Sequence, residues 1–154
     1  MARRGAGGQV SRQLPLRQNA DPRKPTEVLA LPDAPVVSVV DDDRSVRSAT
    51  QTLLRALGYR ARGFASAEAF LNSPEVDLTD CLILDVQMPG MSGIELQRTL
   101  ANRSRRVPII FVTGFPDDRV QEYALAQGAV CFLTKPCDGD RIVECLETAL
   151  GQRA

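Results

Sequence analysis

Acidic residues follow two short apolar segments of the chain. VVSVV at 36–40 runs into Asp41, Asp42 and Asp43, and CLIL at 81–84 runs into Asp85. A charge at the tip of an apolar segment is costly to desolvate unless a partner compensates it. Taken singly, each feature has an ordinary explanation. An acidic run is typical of a solvated turn or a helix cap, and Asp85 precedes a turn containing Pro89.

Together these residues indicate a phosphoryl-accepting site. If the two segments are neighbouring strands, the carboxylates of Asp41, Asp42 and Asp85 meet and repel one another. Mg²⁺ prefers such oxygen ligands, and it neutralises charge on phosphoryl oxygens. Asp85 can then act as a nucleophile and carry an aspartyl phosphate. Thr113 and Lys135, which end later apolar segments, would offer a hydroxyl and an ammonium to the phosphoryl oxygens.

An alternation of strand and helix patterns would position these residues. The predicted strands are VVSVV, YRARGF, CLILD, VPIIFVTG and AVCFLTKP. The predicted helices are 44–57, a short one capped by Ser66, one opened by the capping box of Ser92 and Glu95, 117–127 and 138–150. This order predicts an α/β fold, a doubly wound five-stranded parallel sheet with helices on both faces. Ligands of such sheets bind at the carboxyl ends of the strands.

The composition excludes several functional classes. At 44% hydrophobic and 25% charged residues, the 154-residue chain has the composition of a globular domain. It has no histidine, which excludes histidine-based triads, histidine-ligated zinc and a phosphohistidine donor. No apolar run approaches the ~20 residues of a membrane span, and no secretory signal is visible. We therefore expect a cytoplasmic protein that does not enter a membrane.

The N-terminal segment differs from the remainder. Residues 1–34 are rich in Gly, Pro and Arg and carry a net charge of +3, which leaves −3 for the rest of the chain. We predict a disordered basic tail over 1–34 and one domain over 35–151. A mildly acidic domain lacks the clustered basic face of a nucleic-acid reader, so no specific DNA binding is expected.

The four cysteines form no C-x-x-C pair. Cys81 and Cys131 lie in apolar strand segments, where cysteine behaves as a small hydrophobic residue. We predict that both are structural thiols.

The combined motifs resemble the receiver domain of two-component response regulators over about residues 35–151. SAEAFL, MPGMSGIEL and VTG are similar to the FixJ-type branch in particular. The resemblance implies a flavodoxin-like (CheY-like) strand order 2-1-3-4-5. It also implies that Mg²⁺ is bound by Asp42, by Asp85 and by the backbone carbonyl of Gln87, with Asp41 helping through water or directly.

The resemblance further implies a switch. Asp85 would accept a phosphoryl group from a sensor histidine kinase or a phosphotransfer protein. Thr113 and Lys135 would sense that group, and Phe132 would hold the family's aromatic switch position. The face formed by the fourth helix, the fifth strand and the last helix would then bind a downstream protein. We expect a monomer that can dimerise when phosphorylated, and no enzyme activity beyond its own phosphorylation and dephosphorylation.

Two positions depart from the residues that the family usually has. Phe132 replaces the commoner tyrosine, although a movement of the aromatic ring is still expected there. Cys137 follows Lys135-Pro136 where the family usually has phenylalanine, so the packing at the start of the last helix is expected to differ. Gln87 and Phe115 stand where the family's residues flank the water that hydrolyses the acyl phosphate. We expect Phe115 to exclude that water and to slow dephosphorylation.

Three functions compete at this stage. The favoured one is a stand-alone phosphoacceptor. Only 18 residues follow Lys135-Pro136, which is enough for one helix. The alternative is the receiver part of a transcription regulator whose DNA-binding domain is absent from this chain. A haloacid-dehalogenase-like phosphohydrolase would need a second acid two residues after the nucleophile, where the chain has Gln87.

Overall fold

The computed structural model describes residues 33–103 and 106–151. Within these two ranges, five strands alternate with five α-helices. The strands are β1 (Val36–Val40), β2 (Arg60–Phe64), β3 (Cys81–Leu84), β4 (Ile109–Thr113) and β5 (Cys131–Thr134). The helices are α1 (Arg44–Ala56), α2 (Ala67–Leu71), α3 (Gly93–Ala101), α4 (Asp118–Ala126) and α5 (Gly139–Gly151), with a 3-10 helix at Pro74–Asp77.

All strand pairs are parallel, and their order is β2-β1-β3-β4-β5. The order reverses between β1 and β3, which therefore lie side by side at the centre of the sheet. Val40 pairs with Leu84, so both strands finish at the same level. The predicted doubly wound sheet and its order 2-1-3-4-5 are confirmed.

The central strands are apolar on both faces because helices cover each side of the sheet. One core layer contains Val37, Val39, Ile83 and Val112 packed against α1 and α5. The other contains Val40, Leu84 and Phe111 packed against α2, α3 and α4. This burial fixes the register, since a shift of one residue would exchange the two faces.

The local signals read from the sequence set the helix boundaries. Ser66 caps α2, and Ser92 with Glu95 forms the predicted capping box of α3. Gly58 and Gly128 adopt φ values of 96° and 107° just beyond α1 and α4, the left-handed conformation that glycine tolerates best. The 3-10 helix was not predicted, because one turn is too short to show a periodic pattern.

The predicted tail lies mostly outside the described residues. Within the described part, Ala34 is buried, and its carbonyl accepts a hydrogen bond from Arg60 Nε at 2.8 Å. The ordered domain thus includes Ala34. Among the described helices, none is long and apolar enough to cross a membrane.

The cysteine prediction is half right. Cys81 is a buried free thiol, and desolvation raises its pKa to about 12. Cys131 is not a free thiol, because it forms a disulfide with Cys145. Cys131 belongs to β5 and Cys145 to α5. Their Cα atoms are 6.1 Å apart, within the range that a disulfide requires. The spacing of cysteines in the sequence does not show that a strand and a helix will bring two of them together, so this disulfide was not predicted.

Candidate functional site

Asp41 and Asp85 lie at the carboxyl ends of the two central strands. The backbone amide of Asp41 donates to the Phe64 carbonyl at 3.1 Å, and that of Asp85 donates to the Val40 carbonyl at 3.0 Å. These bonds extend the sheet pairing by one residue and hold both acidic residues at its edge. Both are buried, with exposed fractions of 4% and 6%.

The sheet brings three of the predicted carboxylates together. Asp41, Asp42 and Asp85 each offer an oxygen atom, and these atoms lie within 4.8 Å of one another. Asp42 is exposed, so the group is open to solvent on one side. Asp43 has another role, because its Oδ1 accepts from the amides of Ser45 and Val46 and caps α1.

Lys135 lies against the two buried carboxylates. Its Nζ is 2.8 Å from Asp41 Oδ2 and 3.3 Å from Asp85 Oδ2. The other oxygen of each carboxylate accepts a backbone amide. Asp43 N donates to Asp41 Oδ1 at 2.8 Å, and Gln87 N donates to Asp85 Oδ1 at 3.3 Å. One ammonium therefore faces two buried carboxylates, and Asp42 adds a third nearby.

This imbalance shifts the pKa values of Asp85 and Lys135. Desolvation, and then repulsion from Asp41, raise the pKa of Asp85 despite the opposing attraction of Lys135. Burial alone would lower the pKa of Lys135, but its hydrogen bonds and attraction to Asp41 and Asp85 raise it. Both shifts express the same electrostatic situation, in which negative charge exceeds positive charge at this edge of the sheet.

The donor set fits a hard divalent cation. Three carboxylate oxygens are the ligands that Mg²⁺ prefers, and a site open on one side leaves room for the waters that Mg²⁺ retains. A cation would also offset the cost of desolvating Asp85 and its repulsion from Asp41. Asp41, Asp42 and Asp85 can thus hold a metal ion. The ligand role of the Gln87 carbonyl stays a prediction.

Thr113 and Lys135 meet at the ends of β4 and β5. Thr113 pairs with Thr134 in the sheet, and the backbone amide of Lys135 donates to the Thr113 carbonyl at 2.7 Å. The Thr113 side chain is buried, and its hydroxyl oxygen accepts from the Phe115 amide at 3.1 Å. The strand pairing therefore places this hydroxyl beside the residue that carries the ammonium.

Phe132 is half-buried on β5, one strand beyond Thr113. Its ring lies 5.8 Å from that of Phe111, with the two planes tilted by 40°. It packs at the margin of the core layer that α2, α3 and α4 cover. Part of its surface is exposed, and its switch role stays a prediction.

Two residues that sequence reasoning did not assign to the site hold the loop after Asp85. A Cβ atom at Gly93 would collide with the Asp85 carbonyl oxygen, so only glycine permits this close approach. Glu68 of α2 accepts the Met91 amide at 2.9 Å. No local signal in the sequence links Glu68 to a loop 23 residues away.

The fold and the site define a doubly wound α/β domain with an acidic centre at the strand ends. The response regulator receiver domain family matches residues 37–147. The response regulator protein TmoT of Ectopseudomonas mendocina is 43% identical over 115 residues, which are 75% of this chain and 52% of that protein. The chain belongs to the response regulator receiver domain family.

Solved structures agree with this assignment. A receiver protein from Burkholderia phymatum matches with a TM-score of 0.66 and 45% identity, covering 76% of this chain and 95% of that one. The structure titled FixJ-N matches with a TM-score of 0.69 and 36% identity, covering 76% and 94%. The chain spans about half the length of the curated relatives it matches.

Proposed function

We propose that this chain is a Mg²⁺-dependent phosphoacceptor that works as a switch in phosphorelay signal transduction. The convergence of Asp41, Asp42 and Asp85 with Lys135 at one sheet edge carries the proposal. Family membership supports it, because receiver domains of response regulators interact with histidine kinases or phosphotransfer proteins.

The reaction is a transfer between two side chains. An Asp85 oxygen attacks the phosphorus of a partner's phosphohistidine, the P–N bond breaks, and the histidine leaves with the electron pair. A Mg²⁺ ion held by Asp41, Asp42, Asp85 and the Gln87 carbonyl would neutralise charge on the phosphoryl oxygens. Lys135 already lies 3.3 Å from Asp85 and can bind one of those oxygens. The chain acts on its own side chain, so we class it as a switch and not as an enzyme with a separate substrate.

The phosphorylated state would be read on the face formed by α4, β5 and α5. A phosphoryl group that bonds Thr113 and Lys135 gives the differential contacts that a conformational shift needs. Phe132 links that change to the protein surface. The same face has partly exposed apolar side chains, with Tyr123 at 38% and Leu125 at 41%. We propose that it binds a downstream protein in the cytoplasm, and that the monomer can dimerise there once phosphorylated.

The alternative output is transcription. One relative is named transcriptional regulatory protein FixJ, from Bradyrhizobium diazoefficiens, and the matched region is 57% of its length. This supports a receiver whose effects pass through a DNA-binding domain. We favour action through a separate protein partner and no specific DNA binding by this domain. The mass of the protein isolated from cells separates the two, since a mass equal to 154 residues supports the favoured version.

The phosphoacceptor proposal is tested with acetyl phosphate and Mg²⁺ on the full chain. We expect one added phosphoryl group by intact mass, located on Asp85. Asp85→Asn should lose the label, and Asp42→Ala should lose the dependence on Mg²⁺ together with most of the rate.

The matched control is Asp43→Asn. It makes the same change beside the carboxylate group, at a residue that caps α1, and asparagine keeps that capping function. This variant should label like the parent. Full labelling of Asp85→Asn would refute the proposal.

A further inference from the structure

A recess borders the carboxylates of Asp41 and Asp85 on the side of the sheet that α1 and α5 cover. This cavity has a volume of about 370 Å³. Its floor is the face of the central sheet that carries Val39, Ile83 and Val112, and its sides include Val46 of α1 and Ile142 of α5. Apolar side chains from five elements therefore line one recess that is open to solvent on one side, and Lys135 lies at its charged end.

Small residues leave this space unfilled. Ala49 and Thr50 stand on the α1 side, and Cys137 stands where the chain enters α5. Cys137 is a half-buried free cysteine, and burial raises the pKa of its thiol. The thiol is therefore a neutral, weakly polar part of the wall. A larger side chain at any of the three positions would occupy the cavity.

The charged end of the cavity limits what can enter. Asp41, Asp85 and Lys135 line it, and the ammonium lies 2.8 Å and 3.3 Å from the two carboxylates. The excess of negative charge repels anions, and a cation would be held by the carboxylates at this end and not by the apolar wall. The remaining wall is mainly apolar. Covering it with an apolar surface removes apolar area from water, which is favourable in free energy.

We propose that this cavity binds a small neutral apolar molecule. Its volume lies at the lower end of the roughly 300–1,000 Å³ of small-molecule sites. An α-helix with its side chains is about 10 Å wide and would not enter it. In another protein, a dry apolar cavity of about 150 Å³ binds benzene, so this space is large enough for one such ring. Binding follows from the cavity alone and does not depend on phosphorylation.

A molecule bound here would also act on the phosphoacceptor, a consequence that rests on the function proposed above. Lys135 is both a wall of the cavity and the partner of Asp41 and Asp85. A bound molecule supports the Lys135 stem in its present pairing, whereas Mg²⁺ and a phosphoryl group must draw the ammonium from it. The two ligands therefore oppose each other, and by linkage each weakens the other's binding.

Benzene is the probe, added to the full chain in a methyl-detected NMR titration. We expect saturable shifts at Val39, Val46 and Ile142, and a rise in Tm with benzene concentration. Cys137→Phe should weaken benzene binding by roughly tenfold or more, about 1.4 kcal/mol, because its ring fills the cavity. Ala49→Phe makes the same test at the rim of the recess, because Ala49 lines it from α1 and is exposed, so the fold tolerates a larger residue there.

Leu78→Phe is the matched control, because Leu78 is 57% exposed and lies outside the cavity. It should bind benzene like the parent. The cavity proposal would be overturned by shifts that do not saturate, or by Cys137→Phe and Ala49→Phe variants that bind benzene as tightly as the parent. Neither result would affect the labelling of Asp85. Benzene binding in a protein that acetyl phosphate cannot label would instead count against the phosphoacceptor function alone. Benzene should also slow labelling of the parent but not of Ala49→Phe, and unchanged labelling in both would refute the coupling.

Discussion

At the scale of single residues, Asp85 is a carboxylate held where its charge is unfavourable. Desolvation and the neighbouring Asp41 raise its pKa above the ordinary 3.8. A raised pKa means that the protonated form is favoured more in the folded protein than in the unfolded chain. The ionised form therefore reduces stability above the folded pKa, and this cost disappears as the pH falls below the ordinary value.

We accordingly predict that Asp85→Asn stabilises the protein at neutral pH when no divalent cation is present. The gain in the free energy of unfolding should shrink as the pH is lowered toward 3.8, because wild-type Asp85 becomes protonated. Urea unfolding at a series of pH values in a chelating buffer measures it. Asp43→Asn is the control and should show no such gain. A loss of stability in Asp85→Asn at pH 7 would contradict the electrostatic account.

We expect Phe115 to lengthen the lifetime of the phosphorylated state. Its ring is 71% exposed, so it does not pack against the neighbouring loop, and its amide bonds the Thr113 hydroxyl. We predict that Phe115→Glu speeds loss of the phosphoryl group by roughly tenfold, since a carboxylate can orient the attacking water and assist proton transfer. Loss of label after removal of the donor is the measurement. Phe115→Leu is the control, and equal rates in all three proteins would show that the ring is no shield.

The site residues differ in how readable they are from the sequence. Asp41 and Asp85 are found because each directly follows an apolar strand, and Thr113 because it ends one. Parallel strands bring their carboxyl ends to one edge. The ion pair of Lys135 with Asp41 cannot be found in this way, because it depends on the conformation of a long side chain. The Gly93 contact is hidden for a similar reason, since a glycine at a helix start has several ordinary explanations.

At the scale of elements, the boundaries follow local signals and the cross-links do not. The alternation of patterns and the caps at Ser66 and Ser92 predicted every strand and α-helix in the described ranges. The disulfide between β5 and α5 required knowing how α5 lies on the sheet. Cys131 and Cys145 each occupy an apolar position, so hydrophobic burial explained both without a bond between them.

We predict that this disulfide contributes to stability through the loop it closes. Its partners are 14 residues apart, and a loop of this size corresponds to about 3 kcal/mol. Adding dithiothreitol or substituting Cys145→Ser should lower the free energy of unfolding by that order, as measured by urea unfolding. Cys137→Ser, at a free cysteine, is the control. An unchanged midpoint after complete reduction would contradict the prediction.

The disulfide also bears on where the protein works. A reducing cytoplasm keeps most thiols reduced, and the proposed cytoplasmic location therefore predicts that Cys131 and Cys145 are thiols in the cell. Alkylation of the protein directly in cells, followed by mass measurement, distinguishes the two states. Because Cys131 is next to Phe132, the same experiment reports on the strand that carries the proposed switch.

At the scale of the whole molecule, the acidic edge of the sheet and the α4-β5-α5 face share β4 and β5. Thr113 ends β4 and lies at the acidic centre, while Phe132 on β5 contacts Phe111 of β4 at 5.8 Å between ring centroids. A change at Thr113 can therefore reach the α4-β5-α5 face through one strand pair. Packed cores of this kind have discrete arrangements and do not deform continuously.

We predict that beryllofluoride with Mg²⁺, which imitates the phosphoryl group on Asp85, shifts NMR resonances in two regions. The first is the acidic centre, and the second is the α4-β5-α5 face, where Tyr123 and Leu125 are exposed. Phe132→Leu should keep the first set and lose most of the second, because an aliphatic side chain cannot reproduce the ring's movement. Thr113→Ala should also lose the second set, because alanine has no hydroxyl to bond the phosphoryl mimic and move the end of β4. Shifts limited to the acidic centre in the parent protein would show that this face does not report phosphorylation.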